Sequence, residues 1–244
     1  MNYKAVLQYD GTRYRGWQTQ GNTDNTIQGK LETLLTKMAG EPVEVNGSGR
    51  TDAGVHAAGQ VISFRCKTKE SPEEICRYMN EYLPEDIAVL TVEEAAPRFH
   101  ARLNAVRKTY VYRIWNAPVR NVFRRRFTTW IQKPLDLDAM EQAATLLCGT
   151  HDYRAFCSLK KFKKSTVRTI EKIEIGKMGQ EIRISYTGDG FLYHMVRILT
   201  GTLVEVGLEL RKPEEMTEIL EGQDRTKAGR LMPPEGLTLE SVEY

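Results

Sequence analysis

No stretch of this 244-residue chain approaches the roughly 18 consecutive apolar residues that a membrane-crossing helix requires. The segment from Met1 to Asp10 lacks a basic flank followed by an apolar block, so no secretory signal is expected. Cysteine is scarce. Cys66, Cys76, Cys148 and Cys157 lie far apart, with no C-x-x-C pair. That spacing excludes a zinc knuckle, argues against a disulfide framework, and makes the reducing cytoplasm the expected setting. Linkers and low-complexity stretches are missing as well. The composition that remains, 41% apolar and 27% charged, leaves out a disordered chain. The length suits one large domain or two small ones.

A net charge of +3 hides a segregated distribution. Between Arg98 and Arg168 there are 16 basic and 4 acidic residues, a balance of +12, which leaves −9 for the rest of the chain. Two dense stretches stand inside this window. Arg120, Arg124, Arg125 and Arg126 interleave with Phe123 and Phe127, and Lys160, Lys161, Lys163 and Lys164 surround Phe162. A single lysine cluster reads as a solvated loop. Two clusters within one positive window concentrate potential and suit a polyanion, because each neutralised phosphate releases condensed counterions.

Hydrophobic patterning divides the chain into two similar halves. Tyr3 to Tyr9 alternates as a strand, and Ile27, Leu31, Leu34, Leu35 and Met38 recur at helical spacing. Asn25 with Gln28 fits a capping box for that helix, and Gly40 fits its stop. Val43 and Val45, Gln60 to Arg65, and Ile87 to Val92 read as further strands. Ser71, Pro72 and Glu74 open a second helix. In the second half, Lys108 to Trp115 alternates and Asp136 or Asp138 caps a helix. Val167 to Ile175 and Glu181 to Thr187 form a hairpin pair. Leu192, Met195, Val196, Leu199, Leu203 and Val206 mark a long helix, Pro213 to Leu220 a short one, and Leu237 to Tyr244 a closing strand. The expected class is α+β, with two similar subdomains, 1–105 and 106–244. They are expected to share a continuous, mainly antiparallel mixed sheet, with helices packed on one side and an active-site cleft between them.

The segment Gly47-Ser48-Gly49-Arg50-Thr51-Asp52-Ala53-Gly54-Val55-His56-Ala57 lies between two expected strands. Its glycines permit positive φ and close approach by a ligand. It fails as a dinucleotide fingerprint, and as a P-loop because Val55 and His56 replace the required Lys and Ser/Thr. On its residues alone it reads as a catalytic loop or, equally, as an Asx-type turn formed by Asp52. Asp52 and His56 are four apart, but Gly54 argues against a helix and no third ligand is near, so no metal is expected. No G-x-S-x-G marks a serine nucleophile, and no cysteine sits in an activating setting.

The stretch Gly49 to Ala57 resembles the active-site motif of the tRNA pseudouridine synthase A family. Four more blocks resemble that family in order: Tyr9-Asp10-Gly11-Thr12 with Gly16-Trp17-Gln18, Arg107-Lys108-Thr109-Tyr110, Gly190 to Arg197, and Pro233-Pro234-Glu235-Gly236-Leu237. Together they span essentially the whole chain. Departures are small. Arg15 and Ser63 stand where the family often has His, and Leu231-Met232 replaces smaller residues.

The resemblance implies isomerisation of uridine to pseudouridine at positions 38, 39 and 40 of the tRNA anticodon stem-loop, without a cofactor. Asp52 would be the nucleophile and Arg197 its guanidinium partner. Tyr110 would lie against the flipped base, Arg50 would fill the vacated space, and Leu237 would pack on the base. Arg124, Arg125 and Lys161 would contact the phosphates. The family also implies a homodimer. Two other functions fit the residues themselves: a non-catalytic RNA-binding module, and a phosphate-loop or metal-dependent hydrolase built on the Gly-rich segment.

Overall fold

The computed structural model describes residues 1–244. Ten strands and five α-helices, numbered here along the chain, form two compact units, one of Met1–Val106 with Thr238–Tyr244 and one of Arg107–Leu237. The strands are mixed and mainly antiparallel, which bears out the α+β class.

In the first unit, strands run in the order β4 (Ile87–Glu94), β1 (Asn2–Tyr9), β3 (His56–Arg65), β10 (Leu237–Glu243), and β2 (Val45–Gly47) also pairs with β3. The alternation of β1 buries Tyr3, Ala5, Leu7 and Tyr9. Ile27, Leu31 and Leu35 of α1 (Ile27–Ala39) and Ile75 and Met79 of α2 (Pro72–Tyr82) are buried in the same unit. Ser71 and Glu74 form the expected capping box of α2, worth about 1 kcal/mol, with Pro72 at its first turn. Gly40 closes α1 in the left-handed conformation. The start of α1 differs from the sequence reading. Thr26 is the N-cap and accepts from Gly29 N, while the Asn25 amide donates to Arg13 O. Gln28 is buried and donates to Glu32 and Val45 O instead of closing a box.

The closing strand is the main departure from the 1–105 and 106–244 division. β10 pairs in parallel with β3, Thr238 opposite His56 and Leu239 opposite Ala57, so Thr238–Tyr244 belong to the first unit. Alternation identifies a strand but carries no information about its neighbour.

In the second unit the order is β5 (Arg107–Asn116), β9 (Glu181–Gly188), β8 (Val167–Met178), β7 (Gly149–Asp152), with β6 (Thr129–Ile131) parallel to β5. The expected hairpin β8–β9 is present and turns at Gly179. Asp136 caps α3 (Leu137–Leu146), and α5 (Glu215–Gly222) is the short helix. The long helix α4 (Met195–Gly207) is buried at every residue except Glu205. A helix apolar nearly all round belongs in a core, and its polar members are provided for. The Thr200 and Thr202 hydroxyls donate to the carbonyls one turn back, and Thr200 also meets Tyr186 OH at 2.8 Å. No helix is long and apolar enough to cross a membrane.

Candidate active site

The segment 48–55 joins β2 to β3, and its path is set by buried polar groups beneath it. Ser48 N extends the β2–β3 ladder by donating to Val61 O at 2.8 Å. Gln60, fully buried on β3, accepts from Ser48 Oγ at 2.6 Å and donates to Gly49 O at 2.9 Å. Its amide also reaches Tyr9 OH at 3.4 Å, and Tyr9 OH meets Thr51 Oγ1 at 2.8 Å. Burial pushes the Tyr9 phenol up to about 12, against the opposing pull of its hydrogen bonds to Thr51 and Gln60. The phenol therefore keeps its proton at physiological pH and can donate to Thr51.

The main chain is held from a second side. Trp17 N donates to Thr51 O at 3.0 Å, and Val55 N donates to Asp52 O at 3.1 Å, closing a turn whose Gly54 has φ of 79°. Of the three glycines the sequence singles out for conformational freedom, only Gly54 uses a positive φ. Gly47 lies against the Trp17 ring, where a Cβ would meet Cζ2 at 2.5 Å. At Gly11 the 3-10 turn Gly11–Arg13 comes so near that a Cβ would overlap the Val55 carbonyl oxygen. Gly11 N lies 3.1 Å from His56 Nδ1, which is also 3.2 Å from Asp10 Oδ1. His56 is therefore engaged by the 10–11 segment. No cluster of three or more His, Cys, Asp or Glu side chains is arranged to hold a metal ion.

The result is a clamped turn. Thr51 is fixed through side chain and backbone, Val55 is packed, and between them Asp52 is half-buried while Arg50 is exposed. Of the buried carriers of this clamp, Tyr9 and Thr51 stand in the sequence blocks quoted above without a role of their own, and Gln60 only within a strand. Gln60 had a signal: an amide next to Val61 and Ile62 in a strand needs a buried partner.

The remaining residues proposed from sequence belong to the second unit. Tyr110 on β5 is 8% exposed, sits opposite Tyr186, and meets Phe191 edge-on with centroids 5.2 Å apart. Arg197, in the first turn of α4, is 8% exposed. It stands apart from the apolar residues that mark this helix in the sequence, yet α4 is enclosed on that side as well. Its Nε donates to Met232 O at 2.6 Å and its carbonyl accepts from Met232 N at 3.3 Å. Arg197 thus binds the strap leading into Pro233-Pro234. Tyr112 OH, two residues on from Tyr110 along β5, donates to Pro233 O at 2.7 Å and meets Thr129 Oγ1 at 2.6 Å. Together these contacts fix the 3-10 turn Pro234–Gly236 and the buried Leu237 that follows it. His194, which precedes α4, takes φ of 66°, uncommon for a non-glycine residue. Its ring stacks on Tyr193 at 3.7 Å and meets Ser158 Oγ at 2.8 Å. Arg125 and Lys161 are exposed. Arg124 is half-exposed and ion-paired with Glu181.

Comparison with known proteins gives a consistent answer. The sequence profile of the family described as tRNA pseudouridine synthase matches residues 5–104 and 143–244. A relative from Bacillus sp. (strain KSM-64), named tRNA pseudouridine synthase A, is 48% identical over 243 residues, covering 100% of this chain and 99% of its own. One from Brevibacillus brevis with the same name is 46% identical, covering 99% and 98%. One from Bacillus anthracis, named tRNA pseudouridine synthase A 2, is 44% identical, covering 100% and 99%. The profile leaves out 105–142, which holds Tyr110 and the arginine-rich segment, whereas the full-length relatives span it.

Proposed function

The chain belongs to the tRNA pseudouridine synthase family, isomerases that act on uridine in tRNA, and from that premise we propose that it modifies positions 38, 39 and 40 of the anticodon stem-loop with Asp52 as nucleophile. In this reaction the N1–C1′ bond breaks and a C5–C1′ bond forms. C5 loses a proton and N1 gains one, so the composition is unchanged. A carboxylate that bonds covalently to one fragment keeps it in place while the base turns.

The observation that carries this reading is the clamp on the 48–55 turn. It presents Asp52 on a pre-organised backbone, which is what near-attack geometry needs. Arg197 is the charge partner of Asp52, since the fixed fork of donors on a guanidinium matches a carboxylate. Its own burial supports that role. Tyr110 stacks on the uracil or accepts the C5 proton, and Leu237 packs on the base. Arg50, exposed beside Asp52, fills the space the base leaves. Flipping a stacked base costs a few kcal/mol, which such contacts return. The protein acts in the cytoplasm as a homodimer.

The test is incubation of purified protein with unmodified tRNA in buffer containing a chelator, followed by chemical mapping of pseudouridine. Signal at positions 38 to 40 is expected, at the rate seen without chelator. A blank map sinks the reading, and loss of activity with chelator reinstates the metal-dependent alternative.

A second expectation concerns the basic stretches. About four phosphate contacts from the 120–126 and 160–164 segments give roughly a hundredfold loss of tRNA affinity between about 50 and 200 mM salt. A flat response in filter binding would mean that these side chains face solvent in the complex.

A further inference from the structure

The connection between β5 and β6 has a feature that tRNA binding by charge alone does not use. Its backbone is fastened at many points. Trp115 Nε1 donates to Val119 O at 3.0 Å and Trp130 Nε1 to Ala117 O at 2.9 Å. Asn121 Oδ1 accepts from Phe123 N and Arg124 N, and Arg124 O accepts from Phe127 N and Thr128 Oγ1. The Arg120 guanidinium lies over Trp130, 4.5 Å from the ring centroid. Beneath the loop sits Glu181, a buried carboxylate that accepts from Arg124 at 3.2 Å and from Arg183 Nε at 2.6 Å. Arg124 is therefore engaged within the protein. At the tip of this fixed loop Phe123 is 92% exposed, with Val119 and Val122 exposed beside it. A slack loop could fold the ring back onto the protein, but this one holds it in water.

We propose that Phe123 is a stacking contact for an unpaired nucleotide of the tRNA, with Glu181 as the residue that positions it through Arg124. Every unpaired base offers a π-face to an aromatic ring. The exposed Arg120 and Arg125 supply the charge that draws the flanking phosphates to the same place. A second copy of the chain is the poorer occupant, because a twofold contact through this tip sets two arginine clusters face to face. The inference rests on tRNA as substrate and is independent of the role given to Asp52.

The experiment measures tRNA affinity, KM, kcat and light-scattering mass for Phe123→Ala, Phe123→Trp and Glu181→Gln. Phe123→Ala should raise Kd and KM about tenfold with little change in kcat. Phe123→Trp should keep the wild-type KM, and adding tRNA should quench its fluorescence beyond the quench in the parent. Glu181→Gln should raise KM at unchanged mass. An unaltered Kd in Phe123→Ala overturns the proposal. So does a loss of affinity that comes with a halved mass, since a second copy then covers the ring. If Phe123→Ala weakens tRNA binding but the wild type makes no pseudouridine, the stacking contact stands and the catalytic reading falls.

Discussion

Asp52→Asn should lower pseudouridine formation by about 10⁴-fold or more, the scale on which removal of a covalent nucleophile is felt. Binding of tRNA and the folded state should be nearly unchanged. Both expectations follow from the way the 48–55 turn is built. The bonds that set its path run through the Thr51 hydroxyl, the Gly49 carbonyl, Gln60 and the main chain at Asp52. Asparagine keeps all of them and matches aspartate in shape. It removes the charge and the nucleophilic oxygen. Single-turnover assays with excess enzyme, filter binding and thermal melting separate the three quantities. Substantial pseudouridine in the Asn variant, or in Asp52→Ala, would assign the covalent step to another group. An unfolded Asn variant would instead make Asp52 part of the scaffold.

Gly11→Ala should have the second-largest effect, through a residue that has no side chain. A methyl group at this position overlaps the Val55 carbonyl, so either the Gly11–Arg13 turn or the end of the 48–55 turn must move. Overpacking of this kind costs about 1–3 kcal/mol, which for a chain of this size lowers Tm by about 5 °C. The activity loss should be larger than that implies, on the order of a hundredfold, because a displacement of about 1 Å is enough to spoil attack geometry. Gly21→Ala is the control, since a Cβ there has nothing within 4 Å. Equal activity in the two variants would mean that packing against residues 10–13 does not set the position of Asp52.

Local physics made much of this architecture readable from sequence. Alternation at Tyr3–Tyr9 and Lys108–Trp115 gave strands whose inward members are buried. Ser71, Glu74, Gly40 and Asp136 act at helix ends as their chemistry requires. The failures have physical causes too. β6 and β7 have three and four residues, too few for a period to register. Thr26 outcompetes Asn25 as a cap because the Asn25 amide is engaged by Arg13 O. The apolar members that mark α4 in the sequence describe one face, whereas the helix is buried at every residue except Glu205, Arg197 included. At the site, composition left Asp52 undecided between a turn and a nucleophile. The clamp is non-local: Tyr9, Thr51 and Gln60 are separated by up to 51 positions and meet only once β1 and β3 pair.

The parallel pairing of β10 on β3 also orders events while the chain is being made. One edge of β3 is shared, β2 taking the Ile62–Phe64 end and β10 the His56–Ala57 end. Until Thr238 and Leu239 have been made, that second stretch is an open template beside the 48–55 turn, free to recruit a strand from another nascent chain. The unit Arg107–Leu237 has all its strands by then and can fold while still tethered. The first unit is thus begun before the second and completed after it, and the turn that carries Asp52 gains this flank late.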